Sequence, residues 1–137
     1  MKKKISFGKK EYSNINSLLN SKFNEKSPLI AVHRGTASGT VVENTIISQI
    51  ASLQAGGDMI EVDVVKSTDG KYYAFHDGNE YRLLKKRKNI KEMSSKEIES
   101  LTYYCPIGEA IEYKVEKLDD ILEYFKEKEV LINIDRA

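Results

Sequence analysis

The sequence predicts an α/β fold, namely the N-terminal part of a (β/α)8 barrel with about three parallel barrel strands. Three observations carry that expectation. Short apolar runs at 29–32, 59–65 and 130–134 read as buried strands. Amphipathic helical spacing lies between them, and alternating strands and helices give a parallel sheet with right-handed crossovers. Each run also carries ionisable groups in it or at its end: His33 and Arg34, Glu61 and Asp63, and Asp135. Catalytic residues of (β/α)8 barrels sit at the carboxyl ends of strands.

Residues 1–11 are basic and read as a loose terminus. Tyr12, Ile15, Leu18, Leu19 and Phe23 then recur at helical spacing, and Ser27-Pro28 breaks that helix. Residues 1–28 are thus an extension preceding the barrel part, 29–137. After the first strand a polar, glycine-bearing loop runs through Gly39. Asn44 or Thr45 caps the next helix, Ile46, Ile47, Ile50 and Leu53 line one face, and Gly56-Gly57 ends it. Thr68-Asp69-Gly70 follows the second strand as a turn, and residues 72–75 lead back to His76-Asp77-Gly78. Residues 79–91 are polar and basic, so a loop is predicted, with 85–88 solvated. Ser94 and Glu97 form a capping-box pattern for a helix over 95–103. Leu118, Ile121, Leu122 and Phe125 mark the last helix. The polarity of 79–117 predicts that it moves more than the strands.

The bulk numbers exclude several classes. A chain of 137 residues with 40% hydrophobic and 31% charged residues suits one soluble globular domain. Lys and Arg number 22 against 21 Asp and Glu, which gives no reason to expect nucleic acid or an anionic membrane as partner. One cysteine, Cys105, excludes an internal disulfide and reads as a small buried residue. No apolar run of signal-peptide length follows the basic start, and no run reaches transmembrane length. The expected location is the cytoplasm.

Glu61 and Asp63 lie two apart on a strand, so both project from one face while Ile60, Val62 and Val64 take the other. Two such carboxylates repel unless positive charge lies between them, and their oxygen donors suit Mg²⁺ or Ca²⁺. With Asp69-Gly70 as a two-residue hairpin turn, Thr68 pairs with Lys71 and Asp63 faces His76, with Cβ atoms roughly 4.5–5.5 Å apart. His33 and Asp135 reach the same edge if their strands flank the second. Two histidines supply one base and one acid near neutral pH, and Arg34 with a cation takes up phosphate charge. Taken singly, each has a plainer reading: a structural histidine, a solvated strand face, an ordinary turn at Asp77-Gly78, a surface arginine. Their coincidence at strand ends points to displacement at a phosphodiester.

The ordered set His33-Arg34-Gly35, Glu43-Asn44-Thr45, Glu61-Val62-Asp63, Asp69-Gly70 and His76-Asp77 resembles the signature of the glycerophosphodiester phosphodiesterase family. Residues 131–135 resemble the strand that supplies a further acidic ligand. The resemblance implies a TIM barrel with an insertion after the second strand, here about 66–115 and including the hairpin. It implies His33 and His76 as the acid–base pair, Glu61, Asp63 and Asp135 as holders of a divalent cation, Arg34 at phosphate, and Glu43 and Asn44 as supports. The implied reaction belongs to lipid metabolism: a glycerophosphodiester yields glycerol phosphate and an alcohol, the adjacent glycerol hydroxyl acting as internal nucleophile.

The sequence departs from that pattern at Val42, where proline is frequent, and at Asp135, where glutamate is usual. It also ends after the third strand, whereas a (β/α)8 barrel takes about 250 residues. Hence the expectation of a fragment, or of a partial barrel completed by another chain, with little activity alone. Two alternatives share the same residues: a non-catalytic partial barrel that keeps metal or phosphate binding, and a phospholipase-type lyase acting on phospholipid headgroups.

Overall fold

Strand β2, Met59–Lys66, organises the molecule. In the computed structural model, which describes residues 8–25 and 28–135, it pairs in parallel with β1 (Ala31–Val32) and with β4 (Leu131–Asp135). Its far end pairs antiparallel with β3, Tyr72–Ala74. The sheet is not closed. Residues 1–7 and Ser27, read above as terminus and helix break, lie outside the described residues, as does the side chain of Ile15.

The alternation of β2 decides what packs where. Ile60, Val62 and Val64 are fully buried and meet helices α2 (Ile46–Gln54) and α5 (Leu118–Phe125), through Ile50, Leu53, Ile121 and Phe125. Thr45 caps α2, its hydroxyl accepting the Ser48 amide while the Ser48 hydroxyl accepts the Thr45 amide. Ile47 departs from the expected stripe and is 40% exposed; it follows Ile46 by about 100°, which turns it off the sheet. The N-terminal helix α1, Ser13–Glu25, forms where the apolar spacing placed it.

The other face of β2 carries Glu61, Asp63 and then Val65. Val65 opens a second core with Tyr73, Phe75, Leu84, Ile90 and Ile98. The segment 79–91 is therefore not a loop. It contains helix α3 (Glu80–Leu84) and a 3-10 turn at Ile90–Glu92. Buried Glu80 ties the two together by accepting the amides of Gly78 and Ile90. Lys85 to Lys88 are exposed as expected. Helix α4, Ser95–Ser100, carries the expected Ser94–Glu97 capping box. This buried core gives the segment expected to be mobile a packed interior.

The hairpin register differs from expectation by one residue. Val64 pairs with Ala74 and Lys66 with Tyr72, and the Phe75 amide donates to the Asp63 carbonyl, so Asp63 faces Phe75 rather than His76. The loop has three residues, Thr68 to Gly70. The Gly70 amide donates to Ser67 O and Gly70 takes φ +90°, the turn-plus-bulge solution that adds one residue to a hairpin. Asp69 is drawn away toward α4, where its carboxylate accepts the amide and hydroxyl of Ser95.

Two predictions follow from the packing of α2. Gly35 has φ +75°, and a Cβ there would lie 2.5–2.7 Å from Ser48 Oγ, C and O. Gly35→Ala is expected to lower stability by about 2–4 kcal/mol, read from urea unfolding. Glu116 accepts the Ile46 amide at the start of α2, and burial, aided by Asp120, pushes its carboxyl up to about 7. Between its ordinary 4.5 and that value the folded state keeps a proton that the unfolded state has lost, so stability falls as pH rises through this window. Glu116→Gln is expected to remove about 2 kcal/mol of that fall, measured by unfolding at pH near 4.5 and near 8.

Candidate active site

Strand β1 stops at Val32, and side chains take over as partners of β2. The chain turns sharply there, with Gly35 N donating to Val32 O and with Arg34 at φ +60°. Arg34 N donates to Glu61 Oε2. Arg34 O accepts Asn44 N at 2.9 Å and Ser48 Oγ at 3.1 Å. Asn44, also left-handed at φ +59°, binds β2 reciprocally: its Nδ2 donates to Asp63 Oδ2 at 3.0 Å and its Oδ1 accepts Asp63 N at 2.9 Å. Buried Gln49 does the same one step earlier, donating to Glu61 O at 2.6 Å and accepting Glu61 N at 3.4 Å.

The result is a tight polar group. One donor atom from each of His33, Glu61 and Asp63 lies within 4.8 Å of the others. His33 is exposed, whereas both carboxylates are buried. Arg34 lies across them, Nη1 at 2.9 Å from Glu43 Oε1 and Nε at 2.9 Å from Asp63 Oδ2, the latter an ion pair out of line for a hydrogen bond. Asp63 Oδ1 is buried without a hydrogen-bond partner. Such an atom costs stability unless something positive meets it. Glu43 also holds Arg82 Nη2 at 2.7 Å. Burial pushes the Glu43 carboxyl up, but the hydrogen bonds and charge of Arg82 and Arg34 outweigh it and hold it below its ordinary value. Glu43, Glu61 and Asp63 thus face two guanidinium groups, an acidic surplus suited to a cation.

Asp135 is the register partner of Asp63 on β4, one strand spacing away, and is exposed. It stands outside the 4.8 Å group. His76 also lies outside it, because β3 ends at Ala74 and the shifted register does not set it opposite Asp63. It is joined to the group indirectly. Asn79 Nδ2 donates to His76 O at 3.2 Å, and Asn79 Oδ1 accepts Arg82 Nε at 3.1 Å. Arg82, Glu43, Arg34 and Asp63 continue the chain of contacts. His76 Nδ1 is also 2.7 Å from Asp77 O, which can only accept, so the proton belongs on Nδ1 and Nε2 carries the lone pair of the neutral ring.

Sequence reasoning missed Gln49, Asn79 and Arg82. Gln49 had a signal: it is the polar residue on the inner stripe of α2, between Ile46 and Leu53, and a buried amide needs defined partners. Asn79 and Arg82 sat in the segment read as a loop.

An open sheet that brings two carboxylates of β2 beside a histidine at the end of β1 has the form of the opening part of a (β/α)8 barrel. Residues 33–137 match the glycerophosphoryl diester phosphodiesterase family, and the chain belongs to it. It is 33% identical over 107 residues to the Bacillus subtilis protein YqiK, and 31% identical over 108 residues to a glycerophosphodiester phosphodiesterase of Caldanaerobacter subterraneus. These matches cover 77% and 78% of this chain but 44% of each relative. The crystal structure of a glycerophosphodiester phosphodiesterase from Agrobacterium tumefaciens superposes with a TM-score of 0.63 at 31% identity, over 77% of this chain and 46% of that one. An Oleispira antarctica phosphodiesterase, solved with sn-glycerol-3-phosphate, shares the fold at a TM-score of 0.62 and 23% identity, over 78% of this chain and 43% of that one.

Asn44→Ala removes both bonds to Asp63 and puts a poorer residue at a left-handed position. The expected loss is about 2–4 kcal/mol of stability, measured by urea unfolding.

Proposed function

We propose that this chain carries the first part of a divalent-cation-dependent site that hydrolyses glycerophosphodiesters to glycerol phosphate and an alcohol. The observation that carries this reading is the meeting of one donor atom each from His33, Glu61 and Asp63 within 4.8 Å, together with an Asp63 Oδ1 buried without a hydrogen-bond partner. That donor set, mostly oxygen, fits Mg²⁺ or Ca²⁺. Glu61 and Asp63 would hold the ion, with Asp135 as the acidic residue on the adjacent strand. A bound divalent cation supplies charge neutralisation at the phosphoryl oxygens.

The chain's own groups do the rest. Arg34, fixed by Glu43 and Asp63, meets phosphate oxygens, while Glu43 and Asn44 hold Arg34 and Asp63 in place. One of His33 and His76 takes the proton from the neighbouring glycerol hydroxyl. That oxygen attacks phosphorus, the bond from phosphorus to the alcohol oxygen breaks, and the other histidine protonates the departing alcohol. Water then opens the cyclic phosphate with the two roles reversed. The matched relatives are more than twice as long as the segment they share with this chain, and we assign full turnover to a complete barrel, supplied by a continuation or by a second chain. The insertion at 66–115 and a cytoplasmic setting belong to the same reading; among the described residues no helix is long and apolar enough to cross a membrane.

His33 stands among the candidate ligands, so its role is tested apart from theirs. Glu61→Gln is expected to weaken Mg²⁺ or Ca²⁺ binding at least tenfold by calorimetry. His33→Ala is expected to leave binding within about threefold, while His33→Ala and His76→Ala each cut hydrolysis of a chromogenic glycerophosphodiester, which keeps the neighbouring hydroxyl, by about 100-fold or more. Equal binding by wild type and Glu61→Gln would remove the metal site, and full activity in both histidine variants would end the acid–base assignment.

A further inference from the structure

A cleft runs outward from Glu43, between the loop after β1 and the insertion. Its inner hollow, about 240 Å³, is lined by Val42, Glu43 and Arg82 among others. Its outer hollow, about 420 Å³, is lined by Tyr81, Arg82 and Lys85. The two share Arg82, Leu83, Tyr104, Cys105 and Pro106, so they adjoin along a common wall, and each has ligand-scale volume. The inner end lies against the candidate active site, since Glu43 is bonded to Arg34, which reaches Asp63.

The outer end is cationic. Residues 82–88 hold Arg82, Lys85, Lys86, Arg87 and Lys88. Glu43 pairs with Arg82 and Glu97 with Lys88, while Lys85, Lys86 and Arg87 meet no carboxylate within ion-pair distance among the described residues. Lys85 Nζ and the Arg87 guanidinium lie 5.8 and 5.7 Å from the Tyr81 ring centroid. Those contacts hold two long side chains beside the cleft, and they occupy Tyr81, one of the two aromatic rings along it that a quaternary ammonium would seek.

Resting on the diesterase reading above, we infer that this cleft takes the alcohol half of the diester. Its cations favour an alcohol bearing its own anionic group, a phosphate or carboxylate, over one bearing a quaternary ammonium. A phosphate at Arg34 directs one ester arm past Glu43 along the cleft wall, where Arg82 and Lys85 meet a second negative charge. The discrimination is electrostatic at a solvated surface, so it weakens as salt is added.

The test is NMR titration of the chain in Mg²⁺ with sn-glycerol 3-phosphate, glycerophosphocholine and glycerophosphoinositol 4-phosphate. The expected result is that the inositol phosphate diester binds about tenfold tighter than the choline diester at low salt and shifts Tyr81 and Tyr104. In Lys85→Glu/Arg87→Glu that ratio falls to about one. In Lys126→Glu/Lys128→Glu, an equal charge change in the turn after α5, it stays near ten. A wild-type ratio near one, or the same fall in both double variants, overturns the cleft assignment while leaving glycerol 3-phosphate shifts at His33 intact. Absence of glycerol 3-phosphate shifts at both His33 and His76 overturns the diesterase reading and the alcohol assignment with it.

Discussion

The reciprocal amide bond between Asn44 and Asp63 is the constraint on which the site depends. Strand β1 pairs with β2 only as far as Ile60, so the ladder that would hold Glu61 and Asp63 is missing on that side. Gln49 and Asn44 replace it with side-chain amides, each binding a donor and an acceptor of one β2 residue. The loop carrying His33 and Arg34 is thereby freed from strand geometry. It can turn through two successive left-handed residues, Arg34 and Gly35, and lay the arginine over the carboxylates. A backbone ladder would have kept that arginine extended along the strand.

Charge is arranged on the same principle. Three acidic side chains converge, and the two arginines that answer them come from opposite sides: Arg34 from the loop after β1, Arg82 from the insertion. Glu43 between them stays ionised because both guanidinium groups are within hydrogen-bonding distance. Asp63 is less fully answered. One oxygen takes Asn44 and Arg34, and the other is left bare in a buried setting. A buried oxygen left bare is a cost to the fold that a bound cation would offset.

Much of this was legible in the sequence. The apolar runs at 59–65 and 130–134 and the Ser94–Glu97 box reappear as β2, β4 and the start of α4, because period and capping are local properties. The side-by-side carboxylates of Glu61 and Asp63 follow from strand pleat alone. The hairpin register was not legible, because Asp69 is recruited by Ser95, twenty-six residues away, and a distant partner changed the turn type. Helix α3 was hidden by the surrounding cations: only Leu83 and Leu84 announce its buried side, and Glu80 is buried by pairing with backbone amides rather than by being apolar. The separation of His76 from the 4.8 Å group has the same origin as the register shift.

On β2, one face carries first the two carboxylates and then, two residues on, the first hydrophobe of the insertion's core. The segment that follows is therefore rooted in the strand that carries the candidate site, and apart from Val42 and Val65 its core residues are its own. Its helices and loops share one interior between Ser67 and Val115, with Val42 and Val65 as the common footing. What flanks the rim therefore draws most of its stability from its own interior, while the rim rests on a few polar side chains around β2.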